Sequence, residues 1–287
     1  MALRLLVVEG NTHEEREAQR VAYGHASSEA YAEVLRAIAP DAICDVCFPA
    51  DRGANIPDVA GLSGYDGVAI TGSALNLYDG GPEIDAQVEL ARATFAVRTP
   101  LFGSCWGLQV ACAAAGGQVL RNPLGREIGI ARNIAPTEAG RGHPLLAGRP
   151  AAFDAPCTHL DIVALPPANS VPLAANRLSP NQAAEIICDG GVFWGVQYHP
   201  EFSLGDIAAI IDRRKAKLAC EGFFSSEEDA SRYVADLRAL NFDPQRRDLA
   251  WRLGLDDQVI EPQARRIELR NFVDLLVRPE KSRRGRA

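Results

Sequence analysis

The sequence predicts an α/β fold: a doubly wound, mostly parallel sheet with helices on both faces. Three observations carry this expectation. Short apolar runs of strand length alternate with longer stretches of helical spacing between Leu3 and Ala115. One of these runs, Thr99-Pro100-Leu101-Phe102, passes through Gly103-Ser104-Cys105-Trp106-Gly107 directly into an apolar helix. A second apolar strand, Val192 to Tyr198, ends at His199-Pro200-Glu201. Repeated alternation of this kind favours a parallel sheet whose reactive residues lie at the carboxyl ends of strands.

In chain order, Leu3 to Val8 reads as the first strand. Asn11 to Ala26 is a polar segment with Glu14, Glu15, Arg16, Glu17 and Arg20, read as a plain exposed helix near the active-site edge, with a lid or a substrate-selecting element as the alternative. Ser28 to Ala39 reads as a helix capped by Ser27 or Ser28, Ile43 to Phe48 as a strand, and Val68 to Thr71 as the next. Ala86 to Ala96 has helical spacing, Leu101 to Ser104 is a strand, and Trp106 to Ala115 a helix stopped by Gly116-Gly117. From about 118 to 200 the patterns shorten and Pro and Gly recur, consistent with further, partly antiparallel strands. Ile207 to Glu221 and Glu227 to Leu240 are helical, the second with Ser225-Ser226 and Glu228 placed for capping. The expected division is a core of residues 1–205 and a C-terminal helical extension of 206–287, read as cover for the sheet in preference to a partner dock, whose last helix, about 268–277, packs back on the core. Arg278 to Ala287 carries five basic residues and is expected to be a solvated, mobile tail.

Cys105 falls at a strand-to-helix turn. Gly103, Ser104 and Gly107 allow the tight backbone path of such an elbow, and free N–H groups of the helix start point toward the sulfur. A helix N-terminus and a nearby imidazolium favour the thiolate, the reactive form of cysteine. Residues two apart in a strand project to the same side, so His199 and Glu201 are expected to face one site, with Pro200 ending the ladder. A carboxylate fixes the tautomer and orientation of an imidazole, which then takes the thiol proton and returns it to a leaving amine. The chemistry this implies is attack on an amide. Each segment alone has a plainer reading, a buried cysteine or a strand end, and Cys112, Cys188 and Cys220 are read as small buried hydrophobes. Cys44-x-x-Cys47 is read as two packed thiols on a strand, because zinc would need a second ligand pair and a thioredoxin-type site a helix start.

Composition narrows the class. With 287 residues, 47% hydrophobic, the chain buries one large core or a core with an appendage. A formal net charge of −7 argues against a general nucleic-acid surface. The apolar run ending at Val8 is short and closed by Glu9, so neither a secretory signal nor a membrane span is expected, and the cytoplasm is the default compartment. Seven cysteines, an odd number scattered along the chain, do not form a disulfide framework. No metal site or cofactor is expected.

The two segments together resemble the class I, triad-type glutamine amidotransferases, whose elbow reads Gly-x-Cys-x-Gly-x-Gln and whose second motif is His-Pro-Glu. The resemblance covers roughly residues 3 to 204. It implies a flavodoxin-like core, Cys105 as nucleophile, His199 as general acid/base, Glu201 as its orienting partner and Gln109 as a contact to bound glutamine. In that family the thiolate attacks the glutamine carboxamide, ammonia leaves, and water hydrolyses the thioester. The resemblance also implies an oxyanion hole from the N–H groups of Gly72, in Val68-Ala69-Ile70-Thr71-Gly72-Ser73, and of Trp106. Cys157-Thr158-His159-Leu160-Asp161 is similar to the family's Ser-His-x-Asp segment, which places His159 and Asp161 beside the substrate; a surface or packing role is an equal alternative for His159. Gly72-Ser73-Ala74-Leu75-Asn76, where synthetase-linked members carry Gly-Gly-Pro, resembles the stand-alone, GMP-synthase-like branch that includes γ-glutamyl peptidases, as does Arg121 to Gly129.

Neither a Gly-x-x-x-x-Gly-Lys-Ser/Thr loop nor a Ser-Gly-Gly-x-Asp-Ser loop is present, so a synthetase half would be a separate polypeptide. The leading expectation is therefore an amidotransferase subunit that hydrolyses glutamine and passes ammonia to an acceptor enzyme. A self-sufficient γ-glutamyl hydrolase with a roomier leaving-group side is the alternative, and a non-catalytic binding protein the third. Oligomeric state is not legible.

Overall fold

Why the chain folds as it does is clearest in β1 (Arg4–Val8), where every residue after Arg4 is buried and successive side chains enter different cores. In the computed structural model, which describes residues 2–285, Leu5 and Val7 join one apolar cluster and Leu6 and Val8 another, so the strand is buried on both faces. Parallel to it run β2 (Ile43–Cys47), β3 (Gly67–Ile70), β4 (Leu101–Ser104) and, further along the chain, β11 (Gly191–Val196), in the spatial order β2-β1-β3-β4-β11. Antiparallel strands continue the same 9-stranded sheet: β10 (Ala183–Cys188), β9 (Ser170–Ala175), β6 (Glu127–Pro136) and β7 (Phe153–His159). β5 (Gln118–Arg121) and β8 (Asp161–Leu165) pair separately. The doubly wound α/β expectation holds, antiparallel second half included.

Helices cover both faces. α2 (Ser27–Ile38) contributes Tyr31 and Leu35 to the first cluster, and α4 (Pro82–Ala96) and α5 (Trp106–Ala114) contribute Leu90, Phe95 and Leu108 to the second. α1 (His13–Tyr23) precedes them, and α3 (Val59–Ser63) and α6 (Glu138–Arg141) are short connections. After the sheet, α7 (Leu204–Cys220), α8 (Glu227–Phe242) and α9 (Arg247–Leu253) share a third cluster around Ile207, Ile211, Leu237 and Leu249. α10 (Asp257–Ile260), α11 (Pro262–Arg265), α12 (Ile267–Asn271), a π-helical stretch Phe272–Val277 and α13 (Arg278–Arg283) complete the chain, and Leu269, Phe272 and Val273 enter the first cluster.

Several local expectations are corrected. α2 starts at Ser27 behind Ala26, whose N–H donates to the Glu29 carboxylate at 2.7 Å; the Ser28 N–H goes instead to Glu9 at 2.8 Å, so neither serine is the cap. Ser226 caps α8 by accepting from the Asp229 N–H, and Asp229, not Glu228, answers it through the Ser225 N–H. α1 is not a plain exposed helix: Arg16 is buried, paired with Asp51 at 2.7 Å and stacked over Phe48. The basic C-terminal stretch is not a mobile tail through Arg283. It is α13, pinned by a nearly dry Lys281–Asp66 pair at 3.0 Å and by Arg278–Asp41; the rest of that expectation reaches residues 286 and 287, outside the described residues. Cys112 is buried, but Cys188 is only half-buried and Cys220 is exposed at the end of α7. Cys44 packs against the first cluster and Cys47 lies in the second, on opposite faces of β2, as three-residue spacing on a strand dictates. Among the described residues, no helix is long and apolar enough to cross a membrane, and no His/Cys/Asp/Glu group has metal-binding geometry.

Candidate active site

The elbow is held by backbone crowding. Cys105 has φ 52° and ψ −99°, a left-handed φ that a non-glycine residue adopts only when its surroundings impose it. A Cβ on Gly103 would lie 2.5 Å from the Gly107 carbonyl carbon, and one on Gly107 2.5 Å from the Ile70 oxygen. β4, α5 and β3 therefore meet with no room for side chains, and the Cys105 N–H is tied to the Val196 carbonyl at 2.7 Å. The sulfur sits at the start of α5, 5% exposed, 3.7 Å from the Thr158 carbonyl.

His199 and Glu201 do not lie on a strand. β11 ends at Val196, and Pro200 turns the chain so that the Phe202 N–H returns to the His199 carbonyl at 3.2 Å. The turn brings the two together more closely than a strand would: His199 Nδ1 is 2.7 Å from Glu201 Oε1. Phe202 stacks flat on the imidazole, 4.0 Å between centroids and 2° between planes. Burial would push the imidazolium down, but the charge of Glu201, its bond to Nδ1 and the nearness of Cys105 outweigh it and raise the ring to about 10. Nε2 is buried with no well-aligned acceptor or donor inside the protein, while Cys105 lies close enough to influence the ring's charge.

The second oxygen of Glu201 accepts from Ser104 Oγ at 2.9 Å, and Ser104 Oγ is 3.0 Å from the hydroxyl of the fully buried Tyr31. The sequence offered Ser104 only as a small neighbour of the elbow and Tyr31 only as a helix residue; a serine flanking the cysteine was the one signal available.

Gly72 lies at the start of the loop after β3. A Cβ there would lie 2.6 Å from His199 Cε1, so the glycine is required by the imidazole packed on it. Its carbonyl accepts from Thr71 Oγ1 at 3.0 Å and Asn11 Nδ2 at 3.4 Å, and Asn11 Oδ1 takes the Ala74 N–H at 3.0 Å, fixing the loop from β1. Buried Glu9 in turn holds Asn11. Trp106 donates its indole N–H to Gln87 at 2.7 Å, and Gln87 reaches the Gly10 carbonyl. The sequence offered Glu9 only as the close of the first apolar run and Asn11 only as the start of a polar segment, and gave Gln87 no role, although a glutamine on an apolar helix face is a visible anomaly.

A cavity of about 420 Å³ opens over Cys105 and His199. Gln109 lines it, donating to the Asp161 carbonyl at 3.2 Å and approaching Gln197 Oε1 at 3.5 Å. His159 is buried, with Nε2 2.8 Å from Glu127 and Nδ1 3.1 Å from the Asp161 carbonyl, so it is no surface histidine. Burial opposes the charge on Glu127, yet bonds from His159, Asn176 and Gln182 hold that carboxyl below its ordinary range. Burial raises Asp161, whose Oδ1 accepts from Tyr78. Glu15, Gln19 and Tyr23 of α1 also line the cavity, and α7 supplies a wall that the sequence did not announce.

Residues 44–215 match the family model for glutamine amidotransferase class-I. A γ-glutamyl-L-1-hydroxyisopropylamide hydrolase from Pseudomonas sp is 34% identical over 98% of this chain and 96% of its own length. The GMP synthase of Leifsonia xyli is 33% identical over 47% of this chain but only 25% of its own. Among solved structures, a Thermotoga maritima glutamine amidotransferase superposes with a TM-score of 0.65 at 17% identity, covering 96% of this chain and 99% of that one. A glutamine amidotransferase from Methylobacillus flagellatus gives 0.62 at 18% identity, with 95% coverage of each chain; both are likenesses of fold. With a family match across more than half its length and a relative 34% identical over nearly the whole chain, the chain belongs to the class-I glutamine amidotransferase family.

Proposed function

We propose that the chain is a self-sufficient hydrolase of γ-glutamyl amides. The single observation that carries this is the extent of its relationships: similarity to a γ-glutamyl amide hydrolase runs through essentially the whole chain, C-terminal helices included, whereas the GMP synthase relationship is confined to about a quarter of that enzyme. The leading expectation from sequence, an ammonia-donating subunit, becomes the second reading.

In this mechanism the Cys105 thiolate adds to the γ-carbonyl carbon of the glutamyl group, and the carbonyl electron pair moves to oxygen. The N–H groups of Gly72 and Trp106 receive that oxyanion, on loops braced by Asn11 and Gln87. Collapse re-forms the carbonyl and breaks the C–N bond while His199 Nε2 gives its proton to the departing amine. Neutral His199 then takes a proton from water, which adds to the thioester, and cysteine leaves with glutamate as product. Glu201, holding Nδ1 at 2.7 Å, fixes the tautomer that leaves Nε2 for these transfers. Gln109, Asp161 and, from behind, His159 shape the glutamyl side of the cavity.

The test is glutamate release from glutamine, asparagine and a set of γ-glutamyl amides. The expected order places γ-glutamyl amides above glutamine in kcat/KM, with asparagine unreactive and Cys105→Ala inactive. His199→Ala is expected to be nearly inactive and Glu201→Ala less impaired. Glutamine as the preferred substrate, with a rate that rises when a synthetase is added, selects the subunit reading; turnover surviving in Cys105→Ala refutes both.

A further inference from the structure

Asp206, Ile210, Arg213, Arg214 and Lys217 line the cavity from one face of α7, at the 3–4 residue spacing that keeps side chains on one side of a helix. α7 starts two residues after Phe202, whose ring stacks on His199. A rise of 1.5 Å per residue puts Arg214 about 12 Å and Lys217 about 16 Å along the axis from Asp206. The inner end of this wall is neutralised: Asp206 is paired with His25 at 3.0 Å and bonded to Ser203. The outer end is not. Arg213 meets Glu15 at 3.6 Å, and Arg126 and Lys217 share the single carboxylate of Glu221 at 3.3 and 3.8 Å. Arg214 has no carboxylate within ion-pair distance among the described residues.

Four cations thus face two carboxylates at the outer end of a cavity whose inner end holds the sulfur. Burial, and then the proximity of Arg126, hold the Arg214 guanidinium below its ordinary range, a cost that a bound anion removes. Planar guanidinium groups pair bidentately with carboxylates.

We infer that Arg214, with Arg126 and Lys217, forms a carboxylate subsite for the leaving-group side of the substrate, so that the preferred substrate is a γ-glutamyl amino acid or peptide. The inference rests on the γ-glutamyl hydrolase reading and sharpens it. A carboxylate could also come from the glutamyl group itself, but in this reading that group is anchored at Cys105 beside Gln109 and Asp161, whereas Arg214, the cation without a carboxylate, is carried by α7. The Pseudomonas relative is named for a substrate with a hydroxyl on its amine, so the two enzymes would differ on this side.

The experiment compares kcat/KM for γ-glutamylglycine and γ-glutamylalanine with that for γ-glutamylethylamide, in the wild type, Arg214→Gln and Arg214→Lys. One charge-assisted pair corresponds to a wild-type preference of about 10–100-fold for the carboxylate-bearing substrates. That ratio should collapse toward unity in Arg214→Gln and return in part in Arg214→Lys. In the wild type it should also fall as salt is raised, which needs no variant to fold. A ratio near unity in the wild type, or one indifferent to salt and to charge at residue 214, overturns the inference and leaves γ-glutamyl hydrolysis standing. An equal loss on both substrate types assigns the cations to the glutamyl carboxylate and likewise overturns it. No glutamate from any γ-glutamyl compound is the separate result that fails the underlying reading.

Discussion

Gly72→Ala is the sharpest probe of how the imidazole is held. The new Cβ would stand 2.6 Å from His199 Cε1, about 0.8 Å inside the 3.4 Å at which ordinary contact begins. Gly72 is not in the left-handed region, so alanine adds no backbone strain there, and it keeps the N–H proposed for the oxyanion. The effect therefore falls on the ring. His199 has little freedom to yield, because Phe202 stacks on its face at 4.0 Å and Nδ1 is held to Glu201 at 2.7 Å. Either the ring moves by most of an ångström relative to the sulfur, a misplacement worth about 10²-fold in rate, or the bond to Glu201 stretches, a loss of about 1.5–3 kcal/mol for a charge-assisted bond and so about 10–100-fold. The two routes together predict that kcat falls about 10–100-fold in steady-state glutamate release while KM changes little. If the bond to Glu201 yields, the alkaline limb of the pH profile moves down as well. A kcat within threefold of wild type, with that limb in place, would refute the packing argument and the positioning of His199 drawn from it.

Other perturbations test the surrounding links. His199 is raised from about 6.5 to about 10, so the imidazolium persists through neutral pH and is lost as pH rises through about 10. Stability from this pair is fully present below the unfolded pKa and disappears across that same window. Glu201→Gln removes the charge that raises the ring and should bring the alkaline limb of kcat/KM toward neutrality; a limb that stays near 10 contradicts the assignment. Ser104→Ala leaves Glu201 Oε2 and the Tyr31 hydroxyl buried without their shared partner, and is expected to lower stability by about 1–3 kcal/mol in urea titrations and kcat severalfold. Glu268→Ala strands Arg149, which it meets at 2.6 Å with both side chains essentially dry, and should cost about 3–5 kcal/mol in the same titrations; an unchanged midpoint would show that the pair contributes nothing.

What was legible in the sequence was whatever local pattern encodes. The elbow announces itself because small residues must flank Cys105 where three backbones cross, and the strands of the parallel half announce themselves because burial on both faces leaves apolar runs. The pairing of His199 with Glu201 was readable from their two-residue spacing, although a Pro200 turn and not a strand brings them together. Partners set by topology were not readable. Tyr31 reaches Ser104 and Glu9 reaches Ser28 only because α2 crosses the carboxyl ends of β1 and β4, and nothing near those residues in sequence records it. The tail was misread for the same reason: Lys281 looks like one more solvated charge until β3's neighbour Asp66 is placed beside it.

The division between these two kinds of residue has a functional consequence. The groups proposed for bond-making sit at the turn from β4 into α5, on the loop after β3 and on the turn after β11, each anchored in the sheet. Even the last turn of the chain's core is braced from afar, since Tyr198, next to His199, donates to Glu268 at 2.7 Å and Glu268 is locked by Arg149. The groups that face the outer cavity sit instead on α1, on α7 and, for Arg126, just before β6; α1 meets α7 at Arg213–Glu15, and His25, two residues after α1, meets Asp206. Changes on α1 and α7 can therefore alter which amine is accepted without disturbing the geometry at Cys105. Substitutions there should move KM and the ratio between substrates, and substitutions at Gly72, Ser104 or Glu201 should move kcat for all of them alike.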